Sequence, residues 1–413
     1  MRRPMVRWLD PHQLIDTAVR VLLSGMFSSY ADNRESQERE PATVPDRSGE
    51  ADLWLDYVAD VGDGWNSTYT VARLLATEEL KLDWDGEAHA TQRGRILVMG
   101  GDQVYPVPNA AEYENRMLGP YRAALPCVRG EAPELFAIPG SHDWYDGLVN
   151  FTSIFCRNHW IGGWRTRQRR SYFAVKLPNR WWLWGVDIQF GSFIDEAQLQ
   201  YFSDVAVDQV QPGDRIILCM AKEVESGRKQ AEIHSDRDVE YLEREIIQPC
   251  GAQLVLYLKS GKHYYARYEQ ENGLRQHITS GGGGAFLHPT HNLPERMDFP
   301  GAHGTITYRR ASTYPSAAVS KGLRKRIWRR RSCAPRAMAQ GKSWDPRHSP
   351  RRCLTLTACR ALRSSTPGRT VARTSTGRCG SWRTGVTALA LCRSAQSPRS
   401  RSVSERHAGA GRS

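Results

Sequence analysis

The stretch FAIPGSHDWYDGL, residues 136–148, decides the fold class because it joins a buried strand to chemically active side chains. Its apolar run ends in a Pro-Gly pair, and Ser141, His142 and Asp143 follow at once. A short apolar run that stops at turn residues is typical of a strand buried in a sheet. An imidazole and a carboxylate at the end of such a strand favour a site that handles phosphate and metal.

Two other apolar runs end in the same way. DYVADVGDG places Asp60 and Asp63 after a strand, and LVMGGDQVYP places Asp102 after two glycines. In open α/β sheets, ligands bind beyond the carboxyl ends of the strands, so we expect these carboxylates and His142 to converge. A single aspartate after a strand is also explained as a turn or N-cap residue, but three such strand ends in series favour a site.

The converging side chains predict a metal cofactor. Carboxylates and imidazoles are ligands of divalent cations, and Mn, Fe, Zn and Mg are all compatible with these residue types. Two such ions about 3.5–4 Å apart can clamp a phosphate and activate a water.

Short apolar runs predict nine strands in the first three quarters of the chain. They occupy residues 53–60, 95–101, 134–140, 171–177, 181–189, 215–221, 252–260, 275–284 and 303–310. Helical patterns lie between some of them, at residues 66–80 and 236–250. Strands that alternate with helices predict an α/β fold with a partly parallel sheet, and the strand-dense second half predicts a second sheet packed against it.

The charge of the chain is divided between a body and a tail. The 413 residues include 57 Lys and Arg and 44 Asp and Glu, for a formal net charge of +13. Residues 321–413 hold 23 of the basic and 2 of the acidic residues, which leaves 34 basic and 42 acidic residues in the first 320. Because the body is acidic, we expect it to bind no nucleic acid.

The tail, residues 316–413, lacks helical and strand periodicity and is predicted to be disordered. After Lys342 it contains 14 Arg and no Lys. Three interpretations stay open: a basic arm that binds nucleic acid, a solvated linker, or an out-of-frame translation of a GC-rich gene. We favour the third, and in each case the tail could bind anions non-specifically.

Residues 1–50 are predicted to form an N-terminal helix over residues 1–30 and then a polar linker. The apolar run of the helix is broken by Asp10, Asp16 and Arg20, which favours an amphipathic helix over a signal peptide or a membrane span. The nine cysteines include no CxxC pair, and spread thiols of this kind are typical of a reducing compartment. We therefore expect a cytoplasmic protein.

The order of the motifs resembles that of the calcineurin-like metallophosphoesterase superfamily. The matching segments are GGDQVYP, GSHDWYDGL, the His-Tyr-Tyr stretch at 263–265 and SGGGG at 280–284. Three longer segments, DYVADVGDGWNSTY, GGWRTRQRRSYFAVKLP and ITSGGGGAFLHPTH, resemble a bacterial branch of it. The resemblance covers residues 51–315. It implies a two-sheet αββα sandwich, a dinuclear metal site, and metal-dependent hydrolysis of phosphate esters by an activated water.

The resemblance also implies roles for single residues. Asp60 would bind the first metal, and Asp63 could supply an oxygen where the family has a histidine nearby. Asp102 would bridge the two metals. His142 would protonate the leaving group, and Asp143 would orient it, since a carboxylate behind an imidazole raises its basicity and fixes its tautomer.

Departures from the family pattern favour an alternative. Ser141 stands where the family has an asparagine that binds the second metal, and a hydroxyl is a poor replacement. His263 is kept as a ligand, but Lys262 and Tyr264 stand at or beside ligand positions, where an ammonium is repelled by a dication. The alternative to an active hydrolase is therefore a catalytically impaired relative with a binding or scaffolding role.

Arg165, Arg167 and Tyr264 are the candidates for contacts with a phosphate-ester substrate. Arginine binds phosphate through paired hydrogen bonds. The same arginines, in a segment with four of them between residues 165 and 170, are also explained as a solvated charge run. The glycine run 281–284 either shapes the floor of the site through its backbone amides or has no part in it.

Overall fold

The computed structural model describes the body of the chain and small parts of its ends. The described residues are 2–8, 44–84, 87–188, 194–221, 238–301 and 304–326, with positions 10, 11, 15 and 19 and residues 359–360 and 389–390. They form a mixed α/β fold with more than one sheet, which confirms the predicted class.

The first sheet carries the strand that precedes His142. Its strands in the described residues are β1 (Leu55–Val58), β4 (Ile96–Met99), β5 (Glu134–Ala137), β6 (Trp160–Ile161), β7 (Trp164–Thr166), β16 (Cys359–Arg360) and β17 (Leu389–Ala390). They lie in the order β17-β16-β1-β4-β5-β7-β6. Since β1, β4, β5 and β7 are parallel, their carboxyl ends meet at one edge of the sheet. A separate hairpin joins β2 (Glu79–Trp84) to β3 (Glu87–Gln92).

The second sheet is built from the second half of the body. Its strands are β8 (Phe173–Leu177), β9 (Trp181–Val186), β10 (Arg215–Met220), β11 (Gln253–Lys259), β12 (Tyr265–Gln270), β13 (Gln276–Ser280), β14 (Arg296–Gly301) and β15 (Gly304–Tyr314). They lie in the order β14-β15-β12-β13-β11-β10-β9-β8. The run β9-β10-β11-β13 is parallel, and the flanking strands are antiparallel.

Helices follow the strands of both sheets. The α-helices are α1 (Trp65–Ala76), α2 (Ala110–Tyr113), α3 (Gly119–Ala124), α4 (Val149–Phe155) and α5 (Glu196–Gln209), with π-helical segments at Glu114–Leu118 and Leu242–Ile247. A further helix covers residues 317–326. In α1 the buried Val71, Ala72 and Leu75 recur at intervals of one and three residues, which places one apolar stripe against the first sheet.

One apolar cluster contains side chains of both sheets. Val98 and Phe136 of the first sheet share it with Phe173 and Leu183 of the second. The rings of Phe136 and Phe173 lie with their centroids 5.0 Å apart. The other face of the first sheet packs on α1, α3 and α4, and the other face of the second packs on α5 and the second π-helical segment. Each fully buried side chain of this size stabilises the fold by about 1.5–3 kcal/mol.

All nine predicted strand segments contain a strand. The first begins two residues later than predicted, at Leu55, and the last extends further, to Tyr314. Among the described strands, the sequence patterns missed the β2–β3 hairpin, the short strands β6, β7, β16 and β17, and strands β12 and β14. The hairpin was missed because its described side chains from Glu79 to Asp83 are exposed or half-buried, so no apolar run marks it.

The N-terminal helix does not begin where it was predicted. Residues 2–8 have no helical structure, whereas positions 11, 15 and 19 are helical. Pro4 disfavours helical backbone at the residue before it and donates no hydrogen bond. The amide of Val6 is used instead for hydrogen bonds to Asp63. Most of the predicted polar linker lies outside the described residues.

Parts of the predicted tail are ordered. Residues 317–326 are helical, and β16 pairs with β1 in antiparallel fashion, which differs from the predicted disorder. The physical reason at β16 is that β1 would otherwise leave a row of backbone groups unpaired. The rest of the tail lies outside the described residues. Within the described ranges, no helix has the length and apolar character needed to cross a membrane.

Candidate active site

Two aspartates follow neighbouring parallel strands at the edge where the strands end. Asp60 follows β1 and Asp102 follows β4, and both residues have left-handed backbone, with φ of 55° and 51°. Backbone hydrogen bonds join the two turns, from Asp60 N to Gly101 O at 3.0 Å and from Val61 N to Asp102 O at 3.1 Å. Left-handed backbone is uncommon for residues other than glycine and clusters at functional sites.

A tyrosine hydroxyl lies at the centre of the converging side chains. Tyr105 Oη is 3.1 Å from Asp60 Oδ1, 3.2 Å from Asp102 Oδ2 and 3.1 Å from His263 Nε2. All four residues are buried, and Tyr105 is 1% exposed. Burial, followed by the charges of Asp102 and Asp60, raises the pKa of Tyr105 well above its ordinary value.

This centre has more acceptors than protons. His263 Nδ1 lies 2.8 Å from the Phe286 carbonyl, which can only accept, so Nδ1 carries the ring proton. Burial, then the charge of His288, lowers the pKa of His263 to about 3, so its Nε2 is an acceptor at neutral pH. The single proton of Tyr105 therefore faces two carboxylate oxygens and an imidazole nitrogen. Carboxylate, phenol and imidazole donors directed at one point are ligand types that divalent cations accept.

The described side chains offer donor atoms for a cation but are not arranged as a formed metal site. Within the described ranges, no group of three or more His, Cys, Asp and Glu side chains is arranged to hold a metal ion. Asp60, Asp102 and His263 come nearest, and they enclose the Tyr105 oxygen, which is itself a possible ligand. Ser141, the expected ligand of a second ion, is exposed, and its Oγ lies 3.5 Å from Asp102 Oδ1.

Asp63 is hydrogen-bonded to the N-terminal segment. Its Oδ1 accepts hydrogen bonds from Val6 N at 2.9 Å and from Trp8 Nε1 at 3.3 Å. Burial raises the pKa of Asp63, and those two hydrogen bonds oppose the rise. The structure therefore joins Asp63 to the N-terminal segment.

The His142 ring lies beside the centre and is positioned by a backbone carbonyl. Its Nδ1 is 3.0 Å from Pro106 O, and its amide donates to Asp102 Oδ1 at 2.8 Å. Its ring centroid is 4.5 Å from that of Tyr105 and 4.8 Å from that of Tyr145. Because the Pro106 carbonyl can only accept, Nδ1 donates to it, and Nε2 is the ring atom left to exchange a proton.

Asp143 does not orient the His142 ring as expected. Its carboxylate accepts hydrogen bonds from Gln103 N at 3.1 Å, from Gly140 N at 2.9 Å and from the Tyr113 hydroxyl at 2.5 Å. It thereby ties the turn after β4 to the turn after β5. Burial, and then the charge of Asp102, raises the pKa of Asp143 to about 8 against the effect of these donors.

The glycine run joins the two sheets beneath Asp60. The amides of Gly282 and Gly283 both donate to Ala59 O, at 3.2 and 2.8 Å. A Cβ on Gly281 would lie 2.0 Å from Asp60 Oδ2. The backbone can approach the carboxylate this closely only because residue 281 has no side chain. Of the two interpretations, the one in which the run shapes the floor of the site therefore agrees with the contacts.

Comparisons with known proteins give distant structural likeness and no sequence match. No family model matches the chain, and no curated protein matches it. GAP50, the anchor in the inner membrane complex of Plasmodium, has a TM-score of 0.38 and 12% identity, over 58% of this chain and 76% of its own.

Two further solved structures are similar at the same low level. A purple acid phosphatase, PPD1 from yellow lupin seeds, has a TM-score of 0.36 and 11% identity, over 58% of this chain and 46% of its own. PhoD has a TM-score of 0.36 and 9% identity, over 59% of this chain and 58% of its own. All three likenesses are distant.

The candidate substrate contacts lie elsewhere. Arg165 pairs across the sheet with Glu134, the first residue of β5, and Arg167 Nε donates to the Glu134 carboxylate at 2.8 Å. Both therefore lie at the opposite end of β5 from His142. Tyr264 is buried in a small apolar cluster with Tyr268 and other residues. The structure does not bring these three residues to the centre.

Two residues of the site were missed by the sequence patterns. Tyr105 stands three residues after Asp102 in GGDQVYP, and a phenol so close to a strand-end carboxylate was a usable signal. Trp8 gave no such signal. Its ring lies 5.7 Å from Tyr105 and 5.9 Å from His142, measured between centroids, although these residues are 97 and 134 positions further along the sequence.

Proposed function

We propose that this chain is a hydrolase of phosphate esters that uses a divalent cation held by Asp60, Asp102, Tyr105 and His263. The single observation that carries the proposal is the convergence of these four side chains on one point. We also propose that the fold is the two-sheet αββα sandwich of the calcineurin-like metallophosphoesterases, with its domain at residues 51–315.

The four residues would hold Mn, Fe, Zn or Mg, all of which accept oxygen and imidazole ligands. When bound, the ion would polarise the phosphate and lower the pKa of a nearby water. Asp102 has a second task, because its Oδ1 accepts the amide of His142 and so fixes that residue at the edge of the site.

His142 is the proposed proton-transfer group. Its Nδ1 is hydrogen-bonded to the Pro106 carbonyl. In the protonated ring, Nε2–H would therefore be the group that donates to the oxygen of the leaving group. An alkoxide or phenoxide leaving group departs more readily when it is protonated as the P–O bond breaks. General acid catalysis of this kind contributes about 10²–10⁴-fold to the rate.

The second candidate function is an impaired relative that binds without hydrolysis. The exposed Ser141, which offers only a 3.5 Å contact to Asp102, favours it, because a second ion would have no adequate ligand there. A mononuclear hydrolase and an impaired binder differ in turnover, so one kinetic experiment separates them.

The test is hydrolysis of bis(p-nitrophenyl) phosphate and p-nitrophenyl phosphate by the full chain, with Mn and with chelator. We expect turnover with Mn only, and a loss of about 10²-fold or more in His142→Gln. His159→Gln, at an exposed histidine, is the matched control and should keep the wild-type rate. Absence of Mn-dependent turnover by the folded chain would support the impaired relative instead.

We also propose a partner, a location and a division into regions for this chain. The phosphate ester would be the partner of the body, the tail would contribute only non-specific anion binding, and the protein would act in the cytoplasm. The Arg-rich tail would form a separate region after residue 315, and residues 1–50 an N-terminal region with its own contact to the site.

A further inference from the structure

The N-terminal segment crosses the candidate site and is fixed there at several points. Trp65 N donates to Arg3 O at 2.9 Å, and Arg116 Nη1 donates to Pro4 O at 2.6 Å. Val6 N donates to two oxygens of Asp63, its Oδ1 at 2.9 Å and its backbone carbonyl at 3.2 Å. These contacts fix the path of residues 3–8 over the turn that follows β1.

At Trp8 this segment places an indole ring beside His142, the proposed proton-transfer residue. The Trp8 centroid lies 5.7 Å from Tyr105, 5.9 Å from His142 and 5.7 Å from Phe286. Its Nε1 donates to Asp63 Oδ1 at 3.3 Å, which sets the orientation of the ring. Trp8 thus covers one side of the space that a substrate bound near His142 would need.

We propose that residues 3–8 form an autoinhibitory strap whose Trp8 ring restricts access to His142 and Tyr105. The inference rests on the proposed hydrolysis, because only an active site has an activity to restrict. The centre is closed to solvent with the strap in place, since Tyr105 is 1% and Asp102 6% exposed. A substrate phosphate can reach these groups only when part of their cover moves.

The strap is built to open without unfolding the body. Arg2, Arg3, Pro4, Met5 and Arg7 are exposed, so little apolar surface holds the segment down. Segments with few buried contacts open at a lower free-energy cost than the core does. One of its anchors, Asp63, belongs to the body, where its backbone carbonyl also accepts a hydrogen bond from Arg116.

Three variants separate the ring, the anchor and the exposed surface of the strap. Trp8→Ala removes the blocking ring, and Val6→Pro removes the amide that donates to Asp63. Arg7→Ala is the matched control, because Arg7 lies between the two and is exposed. Trp8→Phe keeps a ring and reports whether a change at this position disturbs folding.

The first readout does not depend on activity. The full chain and each variant are treated with diethyl pyrocarbonate, and modification of the peptides that carry His142 and His159 is followed by mass spectrometry. We expect His142 to react about fivefold faster or more in Trp8→Ala and Val6→Pro, and at the wild-type rate in Arg7→Ala. Trp8→Phe keeps a ring but loses the hydrogen bond to Asp63, so His142 should react in it more slowly than in Trp8→Ala. His159, exposed in every protein, is the internal reference.

The second readout is kcat/KM for bis(p-nitrophenyl) phosphate with Mn. This value should rise in Trp8→Ala and Val6→Pro. Unchanged modification of His142 in both would overturn the strap, whatever the activity. Faster modification with a fall in kcat/KM would also overturn it, because Trp8 would then be a substrate contact. Faster modification without turnover in any protein would refute the proposed hydrolysis and support the strap as a barrier to His142.

Discussion

At the scale of single residues, the site depends on how one phenol shares its proton. Tyr105 Oη contacts Asp60, Asp102 and His263 at 3.1–3.2 Å, all at hydrogen-bond distance. In the absence of a cation the proton joins these groups, and in its presence the oxygen can serve as a ligand. Replacement of Tyr105 therefore tests whether its oxygen is a cation ligand or only a hydrogen-bond donor.

We predict that Tyr105→Phe lowers the affinity of the full chain for Mn by about tenfold or more, because one of four ligand groups is lost. Titration calorimetry measures the affinity directly. Tyr121→Phe is the matched control, since Tyr121 is a buried tyrosine whose hydroxyl has no hydrogen-bond partner among the described residues. Equal Mn affinity in wild type and Tyr105→Phe would exclude Tyr105 as a ligand.

A second residue-scale prediction concerns His277, outside the site. Its Nδ1 is 2.6 Å from Lys259 Nζ, and its ring stacks on Tyr257 with centroids 4.2 Å apart. Burial, then the charges of Lys259 and Arg275, lowers the pKa of His277 well below its ordinary value. The folded state therefore holds the ring neutral at pH values where the unfolded chain protonates it.

His277 makes the stability of the folded state depend on pH. Below pH 6.5 His277 is protonated in the unfolded state but stays neutral in the folded state. The free energy of unfolding therefore falls as the pH falls, by up to about 1.4 kcal/mol per pH unit. His277→Gln should remove that part of the slope between pH 7.5 and 5. Urea unfolding of both proteins at several pH values measures it, and parallel curves would contradict the prediction.

At the scale of elements, the site is made by a strand end and a glycine run from different sheets. Gly281 continues β13, and Asp60 follows β1. We predict that Gly281→Ala displaces the Asp60 carboxylate, because its Cβ would lie 2.0 Å from Asp60 Oδ2 and 2.3 Å from Lys262 O. Mn affinity should fall by about tenfold or more, since a ligand moves by about an ångström.

The control for this substitution is Gly49→Ala. A Cβ at Gly49 would meet nothing within 4 Å, so the same chemical change is made without a clash. Circular dichroism should show that both variants keep their secondary structure. If Gly281→Ala binds Mn as tightly as Gly49→Ala, then the glycine run does not support the carboxylate.

The sequence predicts elements better than contacts, for physical reasons. Apolar runs report burial, so every predicted strand segment contains a strand, while the β2–β3 hairpin has no apolar run and was missed. The meeting of Asp60 and Asp102 follows from parallel strands ending at one edge. The place of Trp8 depends on the path of an irregular segment, and no periodicity encodes such a path.

The same limit explains the errors around His142. Adjacent residues suggest a His-Asp pair, but the chain turns between them, and Asp143 accepts from Gln103 and Gly140 instead. Arg165 and Arg167 were expected to contact the substrate because their segment is rich in arginine. Composition carries no information about which end of a strand they occupy, and the register with Glu134 places them at the far end.

At the scale of the whole molecule, charge separates the body from the tail. The first 320 residues hold more acidic than basic residues, 42 against 34, and the opposite holds after them. We predict that the full chain binds heparin and that removal of residues 327–413 abolishes this binding, because an excess of negative charge remains. The binding should weaken steeply with salt. Heparin binding by the shortened chain would place a basic surface on the body.

The left-handed backbone at Asp60 and Asp102 has a consequence for how these positions can change during evolution. Two requirements act on each of them, one for a carboxylate and one for a residue that tolerates positive φ. Asparagine and glycine meet the second requirement without the first. A lineage that ceased to use the centre would therefore drift first to asparagine or glycine at both positions, and the two aspartates would disappear from it before the turns did.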